Sequence, residues 1–316
     1  MSLRLKTRRL LMKKTNLSKI LSFIALPAIL LAALVWLYTY RHANKHTNQP
    51  VIKSQTYTGP IHPLIYYEPE SFWKGVSEAE NHNTDLPKGA LGGIMPHHLL
   101  PASLLSDFFK RWQNNPPETI ILIGPNHKER GYYKTLTSLE VWQTPFGVVY
   151  PNADIAQLLV DKQLAYVNEP VVEDEHSVAG MMPYIKYYLP NTNVVPLVLR
   201  SNFTMEELDQ LAAAIKPYVS EKIVVMAPVD FSHYLTSEKA AAHDKITLEA
   251  MQNFDYKRIL NFSNDNTDSP SSIVLFEKIM NLVGKKNLKL LYNTNSGVID
   301  NNPFEKTTSY FTAIFY

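Results

Sequence analysis

The sequence predicts a single three-layer α/β domain, a largely parallel sheet flanked by helices, preceded by one N-terminal transmembrane helix. Three observations predict it. Short apolar runs alternate with longer segments whose apolar residues recur every three or four positions, the order that buries a parallel sheet between helices. Residues 20–40 carry no charge and follow a strongly basic tail. The 316 residues, 45% hydrophobic with 11 Gly and 21 Pro, suffice for a sizeable core and have neither a disordered nor a fibrous composition.

Residues 1–19 form a basic tail, read as cytoplasmic: Arg4, Lys6, Arg8, Arg9, Lys13, Lys14 and Lys19 occur there with no Asp or Glu. Residues 20–40 are read as the anchor. At a rise of about 1.5 Å per residue the uncharged stretch spans the roughly 30 Å hydrocarbon core. Pro27 is tolerable in a spanning helix, and Trp36, Tyr38 and Tyr40 gather at its far end as an interfacial belt does. Only Arg41 and Lys45 follow closely, so the positive-inside rule places the N-terminus in the cytoplasm and the C-terminal domain outside it. A cleaved signal peptide would need small residues where Val35-Trp36-Leu37-Tyr38-Thr39-Tyr40 stand. Residues 41–56 are polar and aperiodic, a linker in which His42 and His46 read as a solvated flank.

The domain is assigned to residues 57–316. Runs at 91–95, 119–123, 193–199, 222–227 and 288–292 have the length and Ile, Val and Leu content of strands buried on both faces. Between them, 102–113, 154–164, 204–219, 237–254 and 269–283 carry helical spacing. Thr204-Met205-Glu206-Glu207 and Ser237-Glu238 have the look of capped helix starts. The alternating, aromatic 307–316 reads as a closing strand.

Charge and composition exclude several functions. Of 31 Lys and Arg, seven lie in the tail, leaving 24 against 29 Asp and Glu, so the body is acidic and lacks a footprint for nucleic acid. Without Cys there are no disulfides, thiolate ligands or thiol nucleophiles. No G-x-S-x-G elbow, phosphate loop, H-E-x-x-H or G-x-G-x-x-G occurs. What remains is imidazole and carboxylate chemistry. His97 and His98 follow the first predicted strand, His127 follows the second, and Asp230 and His233 follow the fourth. The carboxyl ends of parallel strands share one edge, where ligands bind. The acidic loop Glu173-Asp174-Glu175-His176-Ser177 adds His176, either as a site residue beside carboxylates or as part of a helix cap. Two or three imidazoles with a carboxylate suit a divalent transition metal with an open position, and Asp230, Asp174 or Glu175 could orient a ligating ring.

In order, Gly93-Ile94-Met95-Pro96-His97, Ile123-Gly124-Pro125-Asn126-His127, Glu175-His176-Ser177 with Met182-Pro183-Tyr184, and Val229-Asp230-Phe231-Ser232-His233-Tyr234 resemble the Memo family, also called AmmeMemoRadiSam system protein B. Trp142-Gln143-Thr144-Pro145-Phe146-Gly147, Asn295-Ser296-Gly297 and the final aromatic segment extend the likeness over about residues 57–316. The resemblance implies a domain similar to class III extradiol dioxygenases and a redox metal, iron or copper; by residue type alone, His, Asp and Glu serve zinc as readily. It implies His97 and His127 as metal ligands, Ser232 at the position where animal members carry a cysteine ligand, and His176, His233 and Asp230 as the remaining polar groups of the cleft. His98 departs from the family's Pro-His-Ala-Gly. Three readings fit these residues: a membrane-anchored, metal-dependent oxidoreductase, dioxygenase-like; a non-catalytic protein binding a small molecule or peptide in the same cleft; and a metal-dependent hydrolase.

Overall fold

A computed structural model of the chain describes residues 59–316, apart from 81, 83 and 84. The predicted tail, anchor and linker lie outside the described residues. Among the described residues no helix is long and apolar enough to cross a membrane.

The chain enters on strand β1 (Ile61–His62) and helix α1 (Pro69–Ala79), whose first turn starts at a proline. There follow β2 (Gly92–Met95), α2 (Ala102–Lys110), β3 (Thr119–Pro125), β4 (Thr135–Thr137), β5 (Val141–Thr144), β6 (Gly147–Val149) and α3 (Ala153–Asp161). After β7 (Tyr166–Val167) come α4 (Glu169–Glu173), α5 (His176–Ala179), α6 (Met182–Tyr188), β8 (Asn193–Leu199) and α7 (Met205–Ile215). The rest is β9 (Ile223–Pro228), β10 (His233–Leu235), α8 (Ser237–Gln252), α9 (Tyr256–Leu260), α10 (Pro270–Leu282), β11 (Leu288–Asn295), α11 (Ser296–Ile299) and β12 (Thr307–Phe315).

The most apolar runs become the middle of a nine-stranded sheet, ordered β10-β12-β2-β9-β3-β8-β4-β7 with β11 beside β12. Neighbours among β2, β9, β3 and β8 are parallel, whereas β12 runs antiparallel to β2 and β4 antiparallel to β8. The sheet is therefore mixed and mostly parallel, not parallel throughout. Each inner strand feeds two apolar clusters. Ile121 and Ile123 pack with Leu159, Leu211 and Phe276 on one face, while Ile120 and Leu122 pack with Phe72, Phe108 and Tyr184 on the other. Burying one such side chain contributes about 1.5–3 kcal/mol, which is why these runs take the centre.

The predicted helix start at Thr204 is a full capping box: the Thr204 hydroxyl accepts from the Glu207 N–H and the Glu207 carboxylate accepts from the Thr204 N–H. The closing strand is β12. The run at 288–292 differs from its expected burial on both faces, because among the described residues β11 pairs with β12 alone and stays half-exposed along most of its length. A separate three-stranded sheet, β1-β5-β6, escaped the sequence because strands of two to four residues hold too few alternations to show a period.

Candidate metal centre

Parallel strands point their carboxyl ends the same way, so β2, β9 and β3 open onto one edge. There β2 delivers His97 after Pro96, β3 delivers His127 after Asn126, and β9 delivers Asp230 after Val229. His176 is the first residue of α5, and it reaches the same edge because Gly124 lets that helix lie against β3. A Cβ at Gly124 would stand 2.6 Å from the Ser177 hydroxyl and 3.3 Å from Val178.

The three rings converge. Ring centroids are 4.8 Å apart for His97 and His127, 5.0 Å for His97 and His176, and 4.2 Å for the stacked His127 and His176. One nitrogen of each lies within 4.8 Å of the others. Local bonds fix which nitrogen faces inward. His97 Nδ1 stands 3.1 Å from the Pro228 carbonyl, which can only accept, so Nδ1 donates and Nε2 is left for the cleft. The His97 backbone N–H donates to Asp230 Oδ1 at 3.1 Å. Glu175, the N-cap of α5, accepts from the backbone N–H of His127 (2.9 Å), from His127 Nδ1 (2.8 Å) and from the Ser177 N–H (3.0 Å). Burial would raise the Glu175 carboxyl, but these donors outweigh it and hold it down at about 2.

At the centre stands Asp268, a residue no sequence motif singled out. Its Oδ2 lies 3.3 Å from His97 Nε2 and 3.4 Å from His127 Nε2, spacings of ion pairs rather than of aligned hydrogen bonds. Both its oxygens are buried and accept no hydrogen bond. His97, Asp230 and Asp268 form a second triple whose ligand atoms lie within 4.8 Å of one another. Burial alone would push the His127 imidazole down, yet the Asp268 and Glu175 carboxylates prevail and raise it to about 10. His176 goes the other way: partial burial and the neighbouring His97 and His127 lower it to about 4. A buried carboxylate without donors is costly unless a cation faces it. A protonated His127 is one such cation, and a divalent ion among the inward nitrogens is another. Three imidazoles and a carboxylate are a nitrogen and oxygen set that fits such an ion.

Two of the expected residues stand elsewhere. The Ser232 hydroxyl is not brought to the imidazoles as the resemblance implied. It donates to Asp244 Oδ1 at 2.7 Å, in a buried knot where Asp244 also accepts from Ser309 (2.5 Å) and Asn293 (2.7 Å). His233 lies on β10, outside both triples, with Nδ1 donating to the Phe231 carbonyl. His98, beside His97 in sequence, pairs its Nδ1 with the Tyr310 hydroxyl at 2.7 Å. Asp174 accepts from Lys128 (2.7 Å), Arg130 (2.5 Å) and the Tyr66 hydroxyl (3.3 Å), tying the loop before α5 together. Asp268 was hidden because it precedes Ser269-Pro270, where an Asp reads as an ordinary helix-start residue. The available hint was a carboxylate at the start of a helix, next to a sheet whose strand ends already carried imidazoles.

Residues 81–314 match the family described as Memo-like protein. Among curated relatives, the MEMO1 family protein of Sulfurisphaera tokodaii is 32% identical over 151 residues, 46% of this chain and 53% of that one. That of Caldivirga maquilingensis is 29% identical over 210 residues, 63% of this chain and 73% of its own. The match to the first relatives thus spans about half to two thirds of their length. A solved structure, the uncharacterized protein JW3007 from Escherichia coli, aligns with a TM-score of 0.47 and 9% identity over 70% of this chain and 99% of that chain.

Proposed function

The chain belongs to the Memo-like family, and on that premise we propose that it holds an iron or copper ion among His97, His127, His176 and Asp268. The observation that carries the reading is the Asp268 carboxylate, buried and without a hydrogen-bond donor in front of inward-facing imidazole nitrogens. Such an ion would supply one-electron chemistry toward a small molecule in the cleft, an oxidoreductase function. The chain's own residues orient and protonate. Pro228 and Glu175 keep the Nδ1 protons of His97 and His127 outward, so each ring offers Nε2. Asp230 fixes the backbone at His97, and His176, lowered to about 4, is neutral near pH 7 and free to ligate or accept a proton. His233, outside both triples, and Ser232, spent on Asp244, are given no part in holding the ion.

Elemental analysis of the purified full-length protein tests this. We expect about one equivalent of iron or copper, lost in His127→Ala and in Asp268→Ala; no metal above those variants would end the proposal. Zinc with hydrolytic chemistry is the second reading, favoured by a donor set without sulfur, and the same analysis separates the two. The proposal also includes anchorage by residues 20–40 with the domain outside the cytoplasm, supported by the basic tail ahead of the uncharged run. Cell fractionation should place the full chain with membranes through alkaline carbonate washing, and a chain lacking residues 1–40 in the soluble fraction.

A further inference from the structure

A second donor set shares no residue with the first. His62 on β1 is wholly buried, with its ring 4.2 Å from that of Trp142. Its Nδ1 stands 3.0 Å from Glu173 Oε2; its Nε2 stands 3.0 Å from Glu169 Oε2 and 2.8 Å from the Ser138 hydroxyl. One ligand atom each of His62, Glu140 and Glu169 lies within 4.8 Å of the others. The three come from separate stretches: β1, the turn before β5, and α4.

Charge points to a ligand here. Three carboxylates, Glu140, Glu169 and Glu173, surround one imidazole. Among the described residues no Lys or Arg forms an ion pair with any of them, so even a protonated His62 leaves two negative charges in a half-buried place. Geometry agrees. With bonds of about 2.0 Å, adjacent donors on a tetrahedral zinc ion stand about 3.3 Å apart, near the spacing of Nε2 and Glu169 Oε2. Glu173 on the far nitrogen completes the carboxylate–imidazole pairing that holds a ligating ring in one tautomer.

We propose that His62 Nε2, Glu169 and Glu140 bind a zinc-class divalent cation, with Glu173 accepting the Nδ1 proton. The site is structural. It ties β1 to α4, and α4 runs directly into Glu175 and His176, so filling it steadies the segment that orients His127. Binding displaces the His62 proton, so the ion and the proton compete for Nε2.

The test uses the full-length protein carrying His97→Ala and His127→Ala, which removes the first centre, with Co2+ as the probe and Zn2+ as its competitor. The expected result is one equivalent of Co2+ with visible absorption, displaced by Zn2+ and weakened at least tenfold by Glu140→Gln and by Glu169→Gln. Because His62→Ala opens a buried hole and can fail to fold, Glu140→Gln carries the comparison, with far-UV circular dichroism confirming the fold. No stoichiometric Co2+ in the double variant overturns the proposal, as does binding that both glutamine variants leave unchanged. Metal in the wild type but not in the double variant supports the first centre while overturning this one.

Discussion

Glu175 and Asp268 act on one ring from opposite ends, Glu175 at Nδ1 of His127 and Asp268 at Nε2. In the metal-free protein this holds the His127 proton up to about 10 against an ordinary value of 6.5. The group therefore stabilises the fold fully below pH 6.5, and that contribution is lost as pH rises toward 10. Glu175 runs oppositely: held at about 2 from 4.5, its contribution is present above pH 4.5 and lost as pH falls toward 2. Because an ion must displace the His127 proton from Nε2, we expect metal affinity to rise by about tenfold per pH unit from neutrality toward pH 10, read by competition titration at fixed ionic strength. Asp268→Asn should lower the His127 pKa in an NMR titration and weaken metal binding by at least tenfold, since it removes the charge and keeps the volume. An unmoved His127 would show that Asp268 does not face it in solution. None of this could be read from spacing, since Asp268 reaches the imidazoles only through the packing of α10 on the sheet.

Helix α5 has only four residues and depends on its seat against β3. Gly124→Ala should cost about 1–3 kcal/mol by overpacking against Ser177 and Val178, and should loosen metal binding by shifting His176. Ser177→Ala in the same chain should recover part of the loss, whereas equal loss in the double variant would place the strain elsewhere. Helix α10 carries a different tension. Glu277 is wholly buried with both carboxylate oxygens unpartnered, and burial pushes it well above the ordinary carboxylate range, so it sits in the fold as a neutral acid. The unfolded chain ionises it more readily than the folded one, so stability falls as pH rises above the ordinary carboxylate value. Glu277→Leu should raise the melting temperature and flatten that slope in denaturant titrations at pH 5, 6 and 7.

For the domain as a unit, the inner strands were plain from their unbroken Val, Ile and Leu runs, and so were the histidines at their ends, because a buried parallel strand leaves little choice of residue or direction. The short outer strands were not: β4, β7 and β10 are two or three residues long, too short to show a period. Likewise His62 lay unremarked between Ile61 and Pro63, in a stretch too short to show a period, until β1 docked beside β5. An ion held by groups from β2, β3, α5 and the start of α10 joins segments far apart in the chain, so chelation should lower the melting temperature. At free metal 100-fold above Kd the stabilisation is about 2.7 kcal/mol, and no change on chelation would mean that the ion binds the unfolded chain equally well.

Strand β12 hydrogen-bonds to β2 in the interior of the sheet although nearly the whole domain separates them in sequence. The slot beside the first histidine segment therefore stays open until residues 307–315 have been made and can pair there. A nascent chain cannot assemble this cleft piecemeal, and truncating the polypeptide before Thr307 would leave the exposed margin of β2 free to recruit a strand from another molecule.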